Sequence, residues 1–495
     1  MDLMYKSTRG RSELITASEA IIRGMANDGG LYIPVKIPKI DKPLHEIMNF
    51  SYCELANYIL KKFLTDFSQK EIDECINKAY SNNFNLEEIV GVCKEGDEFF
   101  LELYHGPTLA FKDMALSILP HLLKTALNKH KITKKVVILT ATSGDTGKAA
   151  LEGFKNIEKM KIIVFYPEKG VSEIQKRQMI TQEGDNIYVT SIEGNFDDAQ
   201  NGVKEIFNDK QYKEFLNENN YILSSANSIN IGRLVPQIVY YFYAYLNLLK
   251  RKEIENNEPI NIVVPTGNFG NILAAYYAKE MGLPVNKFIC ASNENNVLYD
   301  FIKTGVYDIH RKFKTTASPS MDILVSSNLE RLNYYLSGEN EKILLELMEK
   351  LNSEGKYEIT KNMKEGLKDF YGGFATDEQT FESIKEVYEK YNYTIDTHTA
   401  VAHSVYKKYK QFSKDNTKTI IVSTASPFKF TRSVCSSIGI DTEKLDDFEL
   451  INELSGKTGL KVPTSIDDLK NKKVIYKNVC NKESMKSVVN NFLKV

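Results

Sequence analysis

The sequence contains no tryptophan, and its 495 residues hold only six cysteines: Cys53, Cys75, Cys93, Cys290, Cys435 and Cys480. No two of them form a CxxC pair. The pattern is neither a disulfide framework nor a zinc site, and it fits a reducing cytoplasm. An excess of either charge is missing too, with 64 basic residues against 65 acidic ones and a net charge of -1. A nucleic-acid partner, which selects basic surfaces, is therefore not expected. No apolar run reaches the ~20 residues of a membrane span, so no membrane partner is expected either. The long uncharged run Leu234 to Leu249 contains Pro236, Gln237 and Asn247 and reads as a buried core helix. The opening MDLMYKSTRGRS has no apolar h-region, so no secretory signal is expected. Repeats, low-complexity tracts and long Gly/Pro/Ser linkers are all missing. The domains are expected to interleave rather than hang as beads.

What is present suits two or three domains, with 42% hydrophobic residues to fill a large core. Residues 1–95 read as an N-terminal domain. DGGLYIP marks a turn into a short strand, and ELANYILKKFL and SQKEIDECINKAY read as helices, the second with Ser68 and Glu71 placed as a capping box. Beyond it, short apolar strands alternate with helices: EFFLELYH, MALSILPHLLKTAL, KVVILTA, KAALEGF, KIIVFYP, SEIQKRQMI, and onward to INIVVP and KTIIVSTASP. Such alternation predicts an α/β fold of βαβ units, its parallel sheets covered by helices on both faces. Residues 96–230 are expected to form a smaller α/β domain and 231–495 a larger one. Within the latter, 325–395 reads as a charged helical insertion and the stretch after Asp441 as a helical tail.

Four stretches carry chemistry. In HGPTLAFKD, Lys112 ends an apolar segment just before a helical one. Burial there lowers an amine's pKa and frees it as a nucleophile or Schiff-base former; the rival reading is a stem packed on the surface. TSGDTGK (Thr142 to Lys148) follows a strand and opens a helix, where free N–H groups attract anions. Its G-x-x-G-K-A spacing fails the P-loop pattern, and a plain strand-to-helix turn stays open. Asp145 sits awkwardly there: either the amides outweigh it, or it turns away, or it binds a hydroxyl or an ammonium. PTGNFGN (Pro265 to Asn271) is a second such loop, short of GxGxxG but suited to a phosphate dianion. STASPFKF ends a strand in hydroxyl residues. His398 and His403, five residues apart, do not share a helix face, and no metal site is expected.

Taken in order, YKSTRG, DGGLYIP, HGPTLAFKD, ATSGDTG, NSINIGRLVPQIVYYFYAY, PTGNFGN, SPSMDILVSSNLER, DTHTAV and STASPFKF resemble the threonine synthases, and among these the longer fungal and enterobacterial type. The resemblance covers nearly the whole chain. It implies the fold-type II, tryptophan-synthase-β-like architecture of pyridoxal-phosphate (PLP) enzymes: two interleaved parallel-sheet αβα domains with an N-terminal segment and extra helices. It implies a carbon–oxygen lyase that eliminates phosphate from O-phospho-L-homoserine and adds water at Cβ, the last step of threonine biosynthesis. A phospho-lyase releasing 2-oxobutyrate is the alternative. A monomer or weak homodimer is expected. Lys112 would carry the cofactor beside Phe111. Gly267, Asn268, Phe269, Gly270 and Asn271 would hold its phosphate. Thr424, with Ser423 second, would meet the pyridine nitrogen. Thr142, Ser143, Gly144, Asp145 and Thr146 would match the loop that grips the substrate carboxylate. Arg9, Arg233 and Lys429 are candidates for the leaving phosphate. The family's usual histidine, alanine and proline are replaced here by Ser426, Phe428 and Thr397.

Overall fold

The computed structural model of the protein describes residues 2–81 and 83–495. Two sheets organise it. Six strands lie in the order Phe370–Phe374, Val285–Ser292, Ile260–Pro265, Thr419–Ser423, Glu98–Glu102, Gly91–Glu95, all parallel except the last pair. The second sheet runs Val479–Cys480, Ile187–Ile192, Met160–Pro167, Lys135–Ala141, Tyr221–Ser224 and is wholly parallel. In KVVILTA every residue after Lys135 is buried. That is why such strands read as continuous apolar runs: helices cover both faces of the sheet.

The N-terminal part adds a small antiparallel pair, Tyr5–Ser7 with Tyr32–Pro34. Helices Tyr52–Phe63 and Gln69–Tyr80 follow, each started by a serine capping box, Ser51 with Glu54 and Ser68 with Glu71. The first packs on helix Pro236–Lys250, with Tyr52 edge-on to Tyr243 at 5.6 Å, and the second packs on the first. This is the uncharged run expected to be a core helix. Among the described residues no helix is long and apolar enough to cross a membrane.

Three sequence expectations change. MALSILPHLLKTAL is two helices, Asp113–Leu116 and Leu119–Lys129, because Pro120 has no N–H to continue the first and sits comfortably in the first turn of the second. The expected helical insertion hides the sheet-edge strand Phe370–Phe374 and a short strand, Lys356–Glu358. The two sheets also do not follow the contiguous ranges 96–230 and 231–495. EFFLE joins the six-stranded sheet beside Thr419–Ser423, while Val479–Cys480 crosses back to the five-stranded one. Helix Met485–Leu493 goes with it, burying Met485, Val489 and Leu493 in one apolar cluster with Val137 and Phe165.

Candidate active site

Three neighbouring strands of the larger sheet, Ile260–Pro265, Thr419–Ser423 and Glu98–Glu102, run parallel and end at one edge. Their carboxyl ends deliver TGNFGN, Thr424 and HGPTLAFKD side by side, where parallel sheets open into crevices. The other sheet delivers SGDTG from the end of Lys135–Ala141. Between them lies a cavity of about 1260 Å³, and every expected site residue lines it except Gly144, Ser423 and Lys429.

The Lys112 segment is tied down from both sides. Phe111 N–H donates to Thr424 O at 2.8 Å, and Thr108 N–H donates to the Asp113 carboxylate at 2.8 Å. Gly106 is required because a Cβ there would lie 2.5 Å from Asp113 Cβ. So held, Lys112 is 8% exposed, its amine 4.7 Å from the centre of the Phe111 ring and 3.3 Å from Ser320 Oγ. It donates to Asp145 Oδ2 at 3.2 Å. Burial pushes its pKa down; Asp145 opposes this, and Lys429 and Arg233 reinforce it.

Asp145 resolves the alternatives left by the sequence: it binds ammonium and hydroxyl groups. Lys429 Nζ lies 2.8 Å from Oδ1, Gln175 Nε2 donates to Oδ1 at 2.7 Å, and Ser320 Oγ donates to Oδ2 at 3.1 Å. Burial works against its charge, but the opposite charges around it, Lys429 foremost, outweigh burial and hold the carboxyl well below the usual range. A carboxylate so engaged does not grip another carboxylate through its side chain. Thr142 Oγ1 is likewise taken up by the N–H groups of Gly144 and Gly147. Gly144, at φ 135°, backs onto Gln175 and away from the cavity. What faces the cavity and could receive an anion is Ser143, Thr146 and the first turn of helix Asp145–Phe154, where Gly144 supplies no side-chain cap.

The GNFGN loop has the donors to hold a phosphate. Phe269 takes a left-handed φ of 63° and gives helix Gly270–Met281 no side-chain cap, leaving its first N–H groups open. Loop carbonyls point backwards: Gly267 O accepts from Ser326 Oγ at 2.7 Å and Asn268 O from Asn328 Nδ2 at 3.0 Å. Asn271 Oδ1 accepts from the hydroxyls of Tyr240 and Tyr241, which leaves Asn271 Nδ2 buried with no partner. An orphaned donor beside open helical N–H groups is the chemistry an anion completes. Thr424 lines the cavity, whereas the Ser423 hydroxyl is 3.0 Å from Thr399 Oγ1, so the pair sorts in favour of Thr424. A buried amine, a phosphate cradle and a hydroxyl on one wall fit the aldehyde, phosphate and ring nitrogen of PLP.

The three candidate cations separate. Arg9 lines the cavity but already forks onto Glu330, at 3.0 and 2.9 Å. Arg233 is buried in the cavity wall; its Nη1 donates to Ala226 O at 2.9 Å and its Nε has no partner. Burial lowers its pKa to about 10. Lys429 is corrected: it is fully buried behind Asp145, donates to Thr108 O at 2.8 Å, and does not reach the cavity. Sequence reasoning missed Ser320. Its N–H donates to His398 Nε2 at 3.2 Å, which places the ring proton on Nδ1 toward Asp396 at 2.8 Å. Ser426, Phe428 and Thr397, the family departures, are all buried behind the wall.

Comparison with known proteins agrees with this geometry. Family profiles match at residues 4–80 (threonine synthase N terminus), 93–425 (pyridoxal-phosphate dependent enzyme) and 399–489 (threonine synthase, C-terminal). Threonine synthase of Saccharomyces cerevisiae is 36% identical over 492 residues, covering 92% of this chain and 94% of its own. Threonine synthase-like 1 of Homo sapiens is 41% identical over 86% of this chain; the match spans 58% of that relative's length. The crystal structure of PLP-bound threonine synthase from Brucella melitensis superposes with a TM-score of 0.87 at 33% identity, over 100% of this chain and 99% of the other. On profile, identity and fold together, the chain belongs to the threonine synthase family of pyridoxal-phosphate-dependent enzymes.

Proposed function

We propose that the protein converts O-phospho-L-homoserine and water to L-threonine and phosphate, with PLP held on Lys112. The observation that carries this reading is the placement of the Lys112 amine in one cavity with the open GNFGN helix start and Thr424. The cofactor, when bound, supplies an electron sink for carbanions next to the substrate amine. The rest is the work of side chains. Lys112, low in pKa through burial, takes and returns protons at Cα and Cβ of the substrate. Asp145 and Ser320, 3.2 and 3.3 Å from its amine, orient it. Ser143, Thr146 and the adjoining helix start receive the α-carboxylate. Arg233, a buried cation in the wall with its Nε unpartnered, receives the phosphate that leaves from Cγ. Thr424, a neutral hydroxyl, keeps the ring a milder sink than a carboxylate would. Six free thiols suit a cytoplasmic protein, and we assign it as a monomer or weak homodimer.

The test is product analysis with O-phospho-L-homoserine, together with borohydride reduction and peptide mapping. Threonine plus phosphate, and a pyridoxyl label on Lys112, are expected. Release of 2-oxobutyrate without threonine would make the protein a phospho-lyase and overturn the reading.

A further inference from the structure

Asp145 uses its two oxygens for two different lysines. Oδ2 faces the cavity and meets Lys112 at 3.2 Å; Oδ1 faces inward and meets Lys429 at 2.8 Å, with Gln175 beside it at 2.7 Å. Lys112 lines the cavity, whereas Lys429 has no exposed surface and is anchored to the Thr108 carbonyl. A buried lysine out of reach of the substrate needs a reason, because burying a cation is costly unless it is paired.

We propose that Lys429 is a positioning residue: by acting as the counter-ion of Asp145 from behind the wall, it leaves Lys112 with no charge to balance and keeps the reacting amine neutral. The proposal rests on Lys112 being that amine. With Lys429 and Asp145 both ionised, the pair is neutral. A Lys112 ammonium would then be an unbalanced buried charge beside the cations Lys429 and Arg233. Without Lys429, Asp145 has only Lys112 to pair with, and the ammonium becomes the balanced form. The other groups around the cluster do not replace Lys429. His398 is occupied by Asp396 and the Ser320 N–H, and Arg233 donates to a carbonyl. Asp113 is clamped by Thr108, and Asp322 by Thr316, Asn293 and Asn295. Ser320 and Gln175 are neutral. Consistent with this, burial lowers the Lys112 pKa and Lys429 lowers it further, against the pull of Asp145.

The experiment is competitive acetylation of the full-length chain, stripped of cofactor with hydroxylamine, across about pH 6 to 10, a window reaching well below an ordinary lysine pKa. Peptide mapping gives the pH at which Lys112 is half-reactive. In Lys429→Met that half-point is expected to rise by about one to two pH units, the effect of gaining an undivided opposite charge. In the double variant Lys429→Met/Asp145→Asn it returns to near the wild-type value, because no lone carboxylate is left. An unchanged half-point in folded Lys429→Met overturns the proposal. If circular dichroism shows that this variant does not fold, Asp145→Asn carries the test from the other side. Its half-point must fall below wild type, and a rise or no change overturns the idea. Acetylation reads the amine whether or not the enzyme turns over. The borohydride map judges the functional reading separately.

Discussion

Lys112 and Arg233 are the two side chains whose surroundings make the strongest demands on chemistry. A buried amine beside a phosphate cradle predicts that Lys112→Ala loses turnover by about 10³-fold or more, the scale of a positioned acid–base group. Wild-type-like rates, or a borohydride label elsewhere, would remove it from the reaction. Arg233 and Arg9 differ in a way that kinetics can read. Arg233 has an unpartnered Nε, so Arg233→Met should raise KM for the phosphate ester by about tenfold or more, roughly 1.4 kcal/mol. Arg9 already forks onto Glu330, so Arg9→Met should move KM much less. Equal effects would show that the two share the subsite. The sequence brought out Lys112 from its place between an apolar segment and a helix, the glycine–asparagine loop from its place between a strand and a helix, and Thr424 from the family resemblance. It left Asp145 ambiguous and missed Ser320. What decides Asp145 lies far along the chain, Ser320 being 175 residues away, and no local pattern encodes such a meeting.

Among the elements, the hidden strand Phe370–Phe374 is the most instructive. FYGGF has no β-branched residue, and charged helical patterns flank it, so periodicity alone reads through it. Its glycines have a packing reason: a Cβ on Gly373 would stand 2.5 Å from Val405 Cγ1 on the covering helix Thr397–Ser413. Gly373→Ala should therefore cost about 1–3 kcal/mol, seen as a lower thermal midpoint, by overpacking a buried contact. The loop that carries Ser320 is held by Asp322, which accepts from Thr316 Oγ1, Asn293 Nδ2 and Asn295 Nδ2 at 2.7, 2.7 and 3.0 Å. Burial pushes Asp322 up to about 6 despite these bonds. A carboxyl raised by folding adds stability below its unfolded pKa and loses it as the pH rises through about 6. Calorimetry between about pH 4 and 7 should thus show a smaller fall in midpoint for Asp322→Asn than for wild type, about 1.4 kcal/mol for each unit of displacement. Identical slopes would mean that Asp322 titrates normally.

Across the whole molecule, the alternation of strands and helices announced two parallel sheets. It did not say which strand joins which, because βαβ patterning carries no label for the sheet. The C-terminal segment shows this best: read as a helical tail, it completes the distant five-stranded sheet and buries Met485, Val489 and Leu493. Removing residues 479–495 should cost on the order of 5 kcal/mol from those three side chains alone, measured as a lower denaturant midpoint. A chain of unchanged stability without them would show that the tail merely rests on the surface.

The division of labour between the sheets has a mechanical outcome. Lys112, the GNFGN loop and Thr424 all ride on the six-stranded sheet, while Asp145 and the rest of the SGDTG loop ride on the other. If one half rocks against the other, the coenzyme stays bolted in its berth. The seam opens along the SGDTG loop, with Asp145 as the pivot whose tethers to Lys112, Lys429 and Ser320 are the first to feel the strain.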